Sequence, residues 1–338
     1  MMTQAFEHLG HDTAREILTI ASNPFVGLFV GLLITALIQS SSTSTAMVIA
    51  LVAANTISME DAIPIVMGAN IGTTLTSTIV AFGYISKKKT FRRAISAAML
   101  HDFFNIITVA ALFPLELKYH FLSSSARWLT KGTLAYSEWL DYLLPMANMY
   151  SAAWFDWLWK ALGGYDWLMV VLSFVFLFAS VKLLSKIIYE QLIARPKHIV
   201  KNIFFNSTRG SFSSGLLLTS IVQSSSITTS LAVPLVATGK VSLRQVFPFV
   251  MGSNVGTTIT AFIAAYSHSE AALSIAFVHF LFNAFGAVLL LPFRSIRAVP
   301  ERLSYLFGRL TMANRLYGFL YIILTFFLVP FFLIYISS

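Results

Sequence analysis

Apolar residues fill this chain in long runs, and the few polar residues inside those runs fall at repeated positions. Runs of roughly 20 residues, enough to cross a bilayer, occur near 60–83, 93–114, 166–186, 245–266, 271–293 and 316–336. They predict six spans. Two further apolar stretches are each cut by Gln-Ser-Ser-Ser, with about 13 mostly apolar residues on either side. Such arms are too short to cross about 30 Å of hydrocarbon at roughly 1.5 Å per residue. The pattern therefore predicts re-entrant helical hairpins over 25–55 and 211–238, with polar tips sheltered by protein or a cavity. Residues 3–20 and 295–312 read as amphipathic surface helices.

The polar insertions are written twice. Gln39-Ser40-Ser41-Ser42 and Met67-Gly68-Ala69-Asn70-Ile71-Gly72-Thr73-Thr74 return 184 positions later as Gln223-Ser224-Ser225-Ser226 and Met251-Gly252-Ser253-Asn254-Val255-Gly256-Thr257-Thr258. From Gln39 to Thr76 there are 18 identities in 38 ungapped pairs, and they concentrate on hydroxyls, amides and glycines rather than aliphatic filler. Matched polar interruptions in two halves of an apolar chain point to a transporter's binding site at a repeat interface.

Composition agrees with a bilayer setting. The 338 residues are 57% hydrophobic and 11% charged, with a mean hydropathy of +0.76. The absence of cysteine excludes disulfides, thiolate metal sites and cysteine nucleophiles. No cleavable signal peptide is evident. The net charge of +9 gathers in 87–93, 182–209 and 294–315, each flanking an apolar run, which reads as cytoplasmic loops and not as a nucleic-acid surface. The loop at 87–93 is basic, whereas its second-half counterpart at 266–270 has no Lys or Arg. The two halves are therefore expected to face opposite ways.

The predicted fold is an all-α polytopic membrane protein of two inverted-topology repeats, each with a re-entrant helical hairpin and a broken transmembrane helix. Residues 1–21 form an N-terminal amphipathic segment and 22–115 the first repeat, with its hairpin and the spans 60–83 and 93–114. Residues 116–165 form an interfacial connector rich in aromatics, among them Trp128, Trp139, Trp154, Trp157 and Trp159. A span at 166–186 and a basic cytoplasmic linker at 187–210 lead into the second repeat, 211–293, with spans 245–266 and 271–293. Residues 294–338 supply a basic amphipathic segment and the final span.

Hydroxyl side chains favour helix N-caps, where they meet unpaired backbone amides. Gln39, Ser40, Ser41, Ser42 and Thr43 lie where one hairpin turns and its second arm starts, and Gln223, Ser224, Ser225 and Ser226 repeat the arrangement. Such helix N-termini favour an anion. The stretch at 68–74 is expected to break its span in the same way, its glycines permitting unwinding, and so is its counterpart at 252–258. Four N-termini at about half an elementary charge each would balance a divalent oxyanion. Freed carbonyls beside Asn70, Thr73, Asn254 and Thr257 suit a hard cation such as sodium. His101 and Asn105 match His279 and Asn283, each pair sharing one helix face, as either packing glue or ligands. Asp102 exists only in the first half, and an acid inside a span usually has a partner or a function. It is a candidate extra cation ligand.

At these residues the chain resembles the type II sodium/phosphate cotransporter family. The likeness adds Ser22-Asn23-Pro24, Phe91-Arg92-Arg93 and the stretch 101–105, and it covers about 22–115 and 211–293. It implies a phosphate site at residues 39–42 and 223–226, and sodium ligands among Thr73, Asn105, Ser253, Thr257 and Thr260. An aspartate at the position of Asp102 is associated with an additional sodium and electrogenic transport. The chain departs from animal members, which carry Gln and Asp where it has Tyr84 and Lys87, and it lacks their large external loop. Its compact, cysteine-free form resembles bacterial relatives and implies an inner-membrane location. It also lacks the soluble C-terminal domain of some members proposed to export phosphate, so uptake is the expectation.

The expected function is therefore a secondary active transporter coupling sodium entry to phosphate uptake. It needs no cofactor beyond sodium as coupling ion, its partners are phosphate, sodium and the lipid bilayer, and a homodimer is left open. Export of phosphate, or carriage of another tetrahedral oxyanion, is the alternative. A serine membrane hydrolase is disfavoured, since no Gly-x-Ser-x-Gly elbow is present and neither His has an acid paired to it by sequence pattern.

Overall fold

The computed structural model describes residues 23–134, 204–266 and 269–337, with isolated positions between 157 and 183. Every regular element among them is helical. The first half contains α1 (Pro24–Ile38), α2 (Ser41–Ala53), α3 (Met59–Gly72), α4 (Leu75–Phe82), α5 (Lys88–Tyr119) and α6 (Phe121–Leu134). The second contains α7 (Thr208–Val222), α8 (Ser225–Ala237), α9 (Leu243–Ala265) and α10 (Glu270–Leu290). It is followed by α11 (Arg294–Ala313), α12 (Leu316–Ile323), a π-helical turn (Leu324–Leu328) and α13 (Val329–Ser337).

Each Gln-Ser-Ser-Ser motif forms the turn between two short helices, by the same local mechanics. The Asn23 side chain accepts from the Phe25 amide and Pro24 opens α1, whose missing N–H costs nothing in a first turn. Gln39 then enters the left-handed region at φ 57, which stops the helix while its own amide still closes on Thr35 O. Ser40 is extended, and its hydroxyl accepts from the Thr43 amide to start α2. In the second hairpin Gln223 at φ 54 ends α7, and Ser224 caps α8 through the Ile227 amide.

Each hairpin's first arm lies against the following long helix, α1 on α3 and α7 on α9. Glycine sets that distance. A Cβ at Gly68 would collide with Leu28 O, and one at Gly252 with Phe212 O. The expectation that these glycines unwind their helices is therefore corrected. Both sit inside continuous helix and let a neighbouring backbone approach, as small residues do between membrane helices. The first-half helix is interrupted only at Thr73 and Thr74, both still near the α region. In the second half α9 runs unbroken for 23 residues, so the expected break and its extra N-terminus are absent there. Of the four helix N-termini anticipated, those of α2, α4 and α8 are present; α2 and α8 start on a serine cap, whereas α4 has no side-chain cap bond.

Among the described residues five helical segments are long and apolar enough to span: Met59–Phe82, Lys88–Tyr119, Leu243–Ala265, Glu270–Leu290 and Leu316–Ile336. With the family assigned below, they make this a multi-pass membrane protein. The span expected at 166–186 lies outside the described residues apart from isolated positions, as do segment 1–21 and most of the linker at 187–210. The start of the expected connector is ordered: α6 packs on α10, and the buried Glu116 carboxylate accepts from the Leu122 and Ser123 amides at 2.6 and 3.2 Å. At this end of the molecule Arg127 pairs with Glu60, and Thr130 meets Ser274 at 2.9 Å. At the other end α11 lies across α5, and the α8–α9 loop approaches Arg93.

Candidate functional site

The two hairpin tips meet. Ser42 Oγ donates to Gln223 O at 3.1 Å and Ser226 Oγ donates to Gln39 O at 3.4 Å, although the partners are 181 and 187 positions apart. These carbonyls are available because a left-handed Gln at each C-cap turns its C=O out of the helical ladder. The three serines of each tip thereby divide their work. Ser40 and Ser224 cap, and Ser42 and Ser226 bridge. The hydroxyls of Ser41 and Ser225 have no hydrogen-bond partner among the described residues, though both side chains are buried. Thr43 Oγ1 lies 2.9 Å from Ser40 Oγ. Gln39 is exposed and Gln223 half-buried, so the junction is open on one side.

Four asparagines gather beside the tips. His101 Nε2 and Asn254 Oδ1 are 2.7 Å apart, Asn254 Nδ2 donates to Asn105 Oδ1 at 2.9 Å, and Asn105 Nδ2 donates to Asn70 O at 2.7 Å. The chain of donation requires His101 to carry its proton on Nε2. Asn70 O is open to Asn105 because the helix is interrupted at the next turn, where the Thr74 amide bonds Ile71 O. On the other flank Asn283 Nδ2 donates to Asn70 Oδ1 at 3.1 Å. All four asparagines are buried and come from α3, α5, α9 and α10. The pairing of His101 with Asn105 on one face of α5 is thus realised as a clamp on Asn254. Asn283 Oδ1 and both ring nitrogens of His279 remain without a partner among the described residues.

The other candidate cation ligands divide between the tips and their own helices. Thr257 Oγ1 accepts from the Ser225 amide at 3.2 Å, and Ser253 Oγ lies 2.7 Å from Thr219 Oγ1, which joins α9 to the second hairpin. Thr73 Oγ1 donates to Ala69 O and Thr260 Oγ1 to Thr257 O, so both hydroxyls turn back along their own chain.

Asp102 is fully buried and takes two hydroxyl donors, Thr74 Oγ1 at 2.8 Å and Tyr321 OH. Sequence reasoning missed Tyr321. It stands in the last span, outside the duplicated region, so the repeat gave no signal for it. Ser77 was also missed: its hydroxyl lies 3.0 Å from Thr229 Oγ1 and ties α4 to α8. Both are small polar departures in apolar runs, which is the only mark the sequence offers.

The Na+/Pi-cotransporter family model matches residues 1–119 and 175–314 of this chain. The chain belongs to that family. Among curated relatives, human sodium-dependent phosphate transport protein 2B is 28% identical over 98% of this chain and 62% of its own length. The rat sodium-dependent phosphate transport protein 2A is 30% identical over 98% of this chain and 64% of its own length. The chain thus spans just under two thirds of the curated relatives it matches. No solved structure matches it. The paired tips are what this Na+/Pi-cotransporter family member builds from its duplicated motif.

Proposed function

We propose that this protein is a sodium-coupled secondary active transporter that takes up inorganic phosphate by alternating access. The observation that carries the reading is the reciprocal contact of the tips, which leaves the Ser41 and Ser225 hydroxyls uncommitted at two helix N-termini. An oxyanion between the tips would receive those hydroxyls and backbone amides, favoured by both helix dipoles. Sodium would be held by oxygens of the asparagine cluster and of Thr73, Ser253, Thr257 and Thr260, with Asp102 supplying the one formal negative charge. Family membership and the names of the relatives favour phosphate and sodium over other solutes.

The mechanism asks for two repeats of opposite orientation with re-entrant hairpins. In support, the loops following the two hairpins sit at opposite ends of α5. The α2–α3 loop leads to Glu60 beside Arg127, near the C-terminal end of α5, while the α8–α9 loop lies against Arg93 at its start. A binding point shared by inverted repeats can be exposed to either side by rocking one repeat against the other. The membrane would be a bacterial inner membrane. The test is uptake of radiolabelled phosphate into proteoliposomes: an inward sodium gradient should concentrate phosphate, a potassium gradient of equal size should not, and equal accumulation under both would refute the coupling.

A further inference from the structure

A cavity of about 530 Å³ opens where three separate pieces of chain meet: the start of α5, the α8–α9 loop and α11. Arg92, Arg93, Lys240 and Arg244 line it, and none of its lining residues is acidic. Among the described residues Arg92, Arg93 and Lys240 have no acidic partner, and Arg244 shares Glu301 with Arg297, at 3.5 and 3.7 Å. A second cavity of about 410 Å³ shares Leu243, Arg244 and Tyr305 with the first and adds Leu306 together with Glu301, Arg302 and Arg309.

Basic residues on a cytoplasmic loop need no more than membrane orientation to explain them. Orientation asks only for charge in the loop, however, and here the charges converge. Arg93 folds back over Gly239, whose Cβ, if present, would stand 2.6 Å from the guanidinium Nη1, and the Arg92 guanidinium sits 5.5 Å above the Tyr305 ring. The repeat shows that the fold does not require this. The positions equivalent to Arg244 and Gln245 are Glu60 and Asp61, and the position equivalent to Arg92 is Glu270. The same scaffold carries acids at its opposite end. Nor is this a helix N-terminal site, since Ser242 at the start of α9 is closed by Gln245, whose Oε1 accepts from Ser242 N and Oγ at 3.0 and 2.9 Å.

We propose that this cavity is a second oxyanion site, one that binds a phosphate group by charge and is separate from the hairpin tips. Guanidinium groups match phosphate oxygens two at a time, and a dianion relieves the mutual repulsion of four gathered cations. The phosphate group can arrive free or on a lipid whose acyl chains lie along Leu243 and Leu306. Either way it bridges the first repeat through Arg92 and Arg93, the second through Lys240 and Arg244, and α11.

The full chain, reconstituted in phosphatidylcholine nanodiscs without sodium, would be titrated with radiolabelled inorganic phosphate and, separately, with dioctanoyl phosphatidic acid. At least one probe is expected to bind once per chain, and R93Q/K240Q/R244Q should weaken that binding at least tenfold. The S41A/S225A chain should bind as wild type does, which keeps this result independent of transport at the tips. Saturable binding of inorganic phosphate identifies a soluble ligand, and binding of phosphatidic acid alone identifies a lipid. If the triple variant misfolds, Lys240→Glu, a change at an exposed side chain, should still lower the affinity. Failure of both probes to bind the wild type, or binding that survives in the folded Gln and Glu variants, would overturn the site.

Discussion

The Ser42 hydroxyl donates a hydrogen bond to the carbonyl of Gln223 at 3.1 Å, and the repeat mirrors it from Ser226 to the carbonyl of Gln39 at 3.4 Å. The pair of bonds joins two hairpins that share no covalent neighbourhood. It also separates bridging serines from uncommitted ones, which gives the first prediction. Ser41→Ala and Ser225→Ala should each weaken phosphate transport while leaving the fold intact, because neither hydroxyl holds another part of the protein. A lost hydrogen bond to a charged ligand is worth about 1.5 to 3 kcal/mol, or roughly 10- to 150-fold in apparent affinity. Phosphate KM and thermal melting of the purified variants check this. Unchanged KM in both would remove these hydroxyls from the binding point.

Opposed repeats predict opposed accessibility. Ser58 and Ser242 occupy equivalent positions in the two halves, both are exposed, and the chain has no cysteine of its own. Single cysteines at these positions should react with a membrane-impermeant maleimide from opposite faces of the cell membrane, Ser242→Cys only after permeabilisation. Labelling of both from the same face would rule out the inverted arrangement.

The turns at Gln39 and Gln223 and the helix starts after them were legible because hydroxyl capping is local chemistry: Ser40 and Ser224 act on amides three residues away, so the sequence already holds both partners. The meeting of the tips was legible from duplication. Gly68 and Gly252 were misread, since glycine serves unwinding and close approach equally well. Only the carbonyls of Leu28 and Phe212, about 40 residues away, decide which. The break at Thr73 and Thr74 without a counterpart at Thr257 and Thr258 was equally hidden, because those four residues are identical in pairs. What differs lies around them: Asp102 stands 2.8 Å from Thr74 Oγ1 in the first half, and Phe280 holds the equivalent place in the second.

The corrected role of the glycines is itself testable. Gly68→Ala and Gly252→Ala insert one methyl against a backbone oxygen that cannot rotate away, and overpacking of this kind typically costs about 1 to 3 kcal/mol. Both variants should melt at lower temperature than wild type in the same lipid. Had the glycines served unwinding, alanine would have stiffened the helix and left the melting temperature level or higher.

The asparagine cluster predicts an asymmetric response. Asn105→Ala removes the acceptor of Asn254 Nδ2 and the donor to Asn70 O together, leaving two buried polar groups unpaired. Each such group costs about 1 to 3 kcal/mol. Asn283→Ala leaves Asn70 Oδ1 without its donor, but Asn70 keeps its own bond to Val66 O at 2.8 Å. Denaturation should therefore find Asn105→Ala the less stable of the two. Equal stabilities would mean that the chain from His101 to Asn70 does not act as a unit.

Asp102 and Tyr321 give the last prediction. A carboxylate held at 0% exposure within a span needs its donors, and it has two, one from Thr74 and one from Tyr321 of the final helix. If Asp102 also binds a coupling sodium, the Tyr321 hydroxyl competes for the same oxygen. Tyr321→Phe should then destabilise the sodium-free protein, by about 1.5 to 3 kcal/mol for a bond to a charged group, and sodium should recover most of the loss. Melting temperature against sodium concentration would rise more steeply in the variant than in wild type. Asp102→Gly removes the charge itself, so sodium should no longer shift the melting of the Y321F/D102G double variant beyond that of D102G alone. On the proposed function the same acid should also make transport voltage-dependent, since one net charge moved through 100 mV is worth about 2.3 kcal/mol. Uptake into vesicles carrying a valinomycin-set potassium potential should respond to voltage in wild type and not in Asp102→Gly. A voltage response that survives the loss of Asp102 would leave the acid as a structural anchor for Tyr321, with no part in coupling.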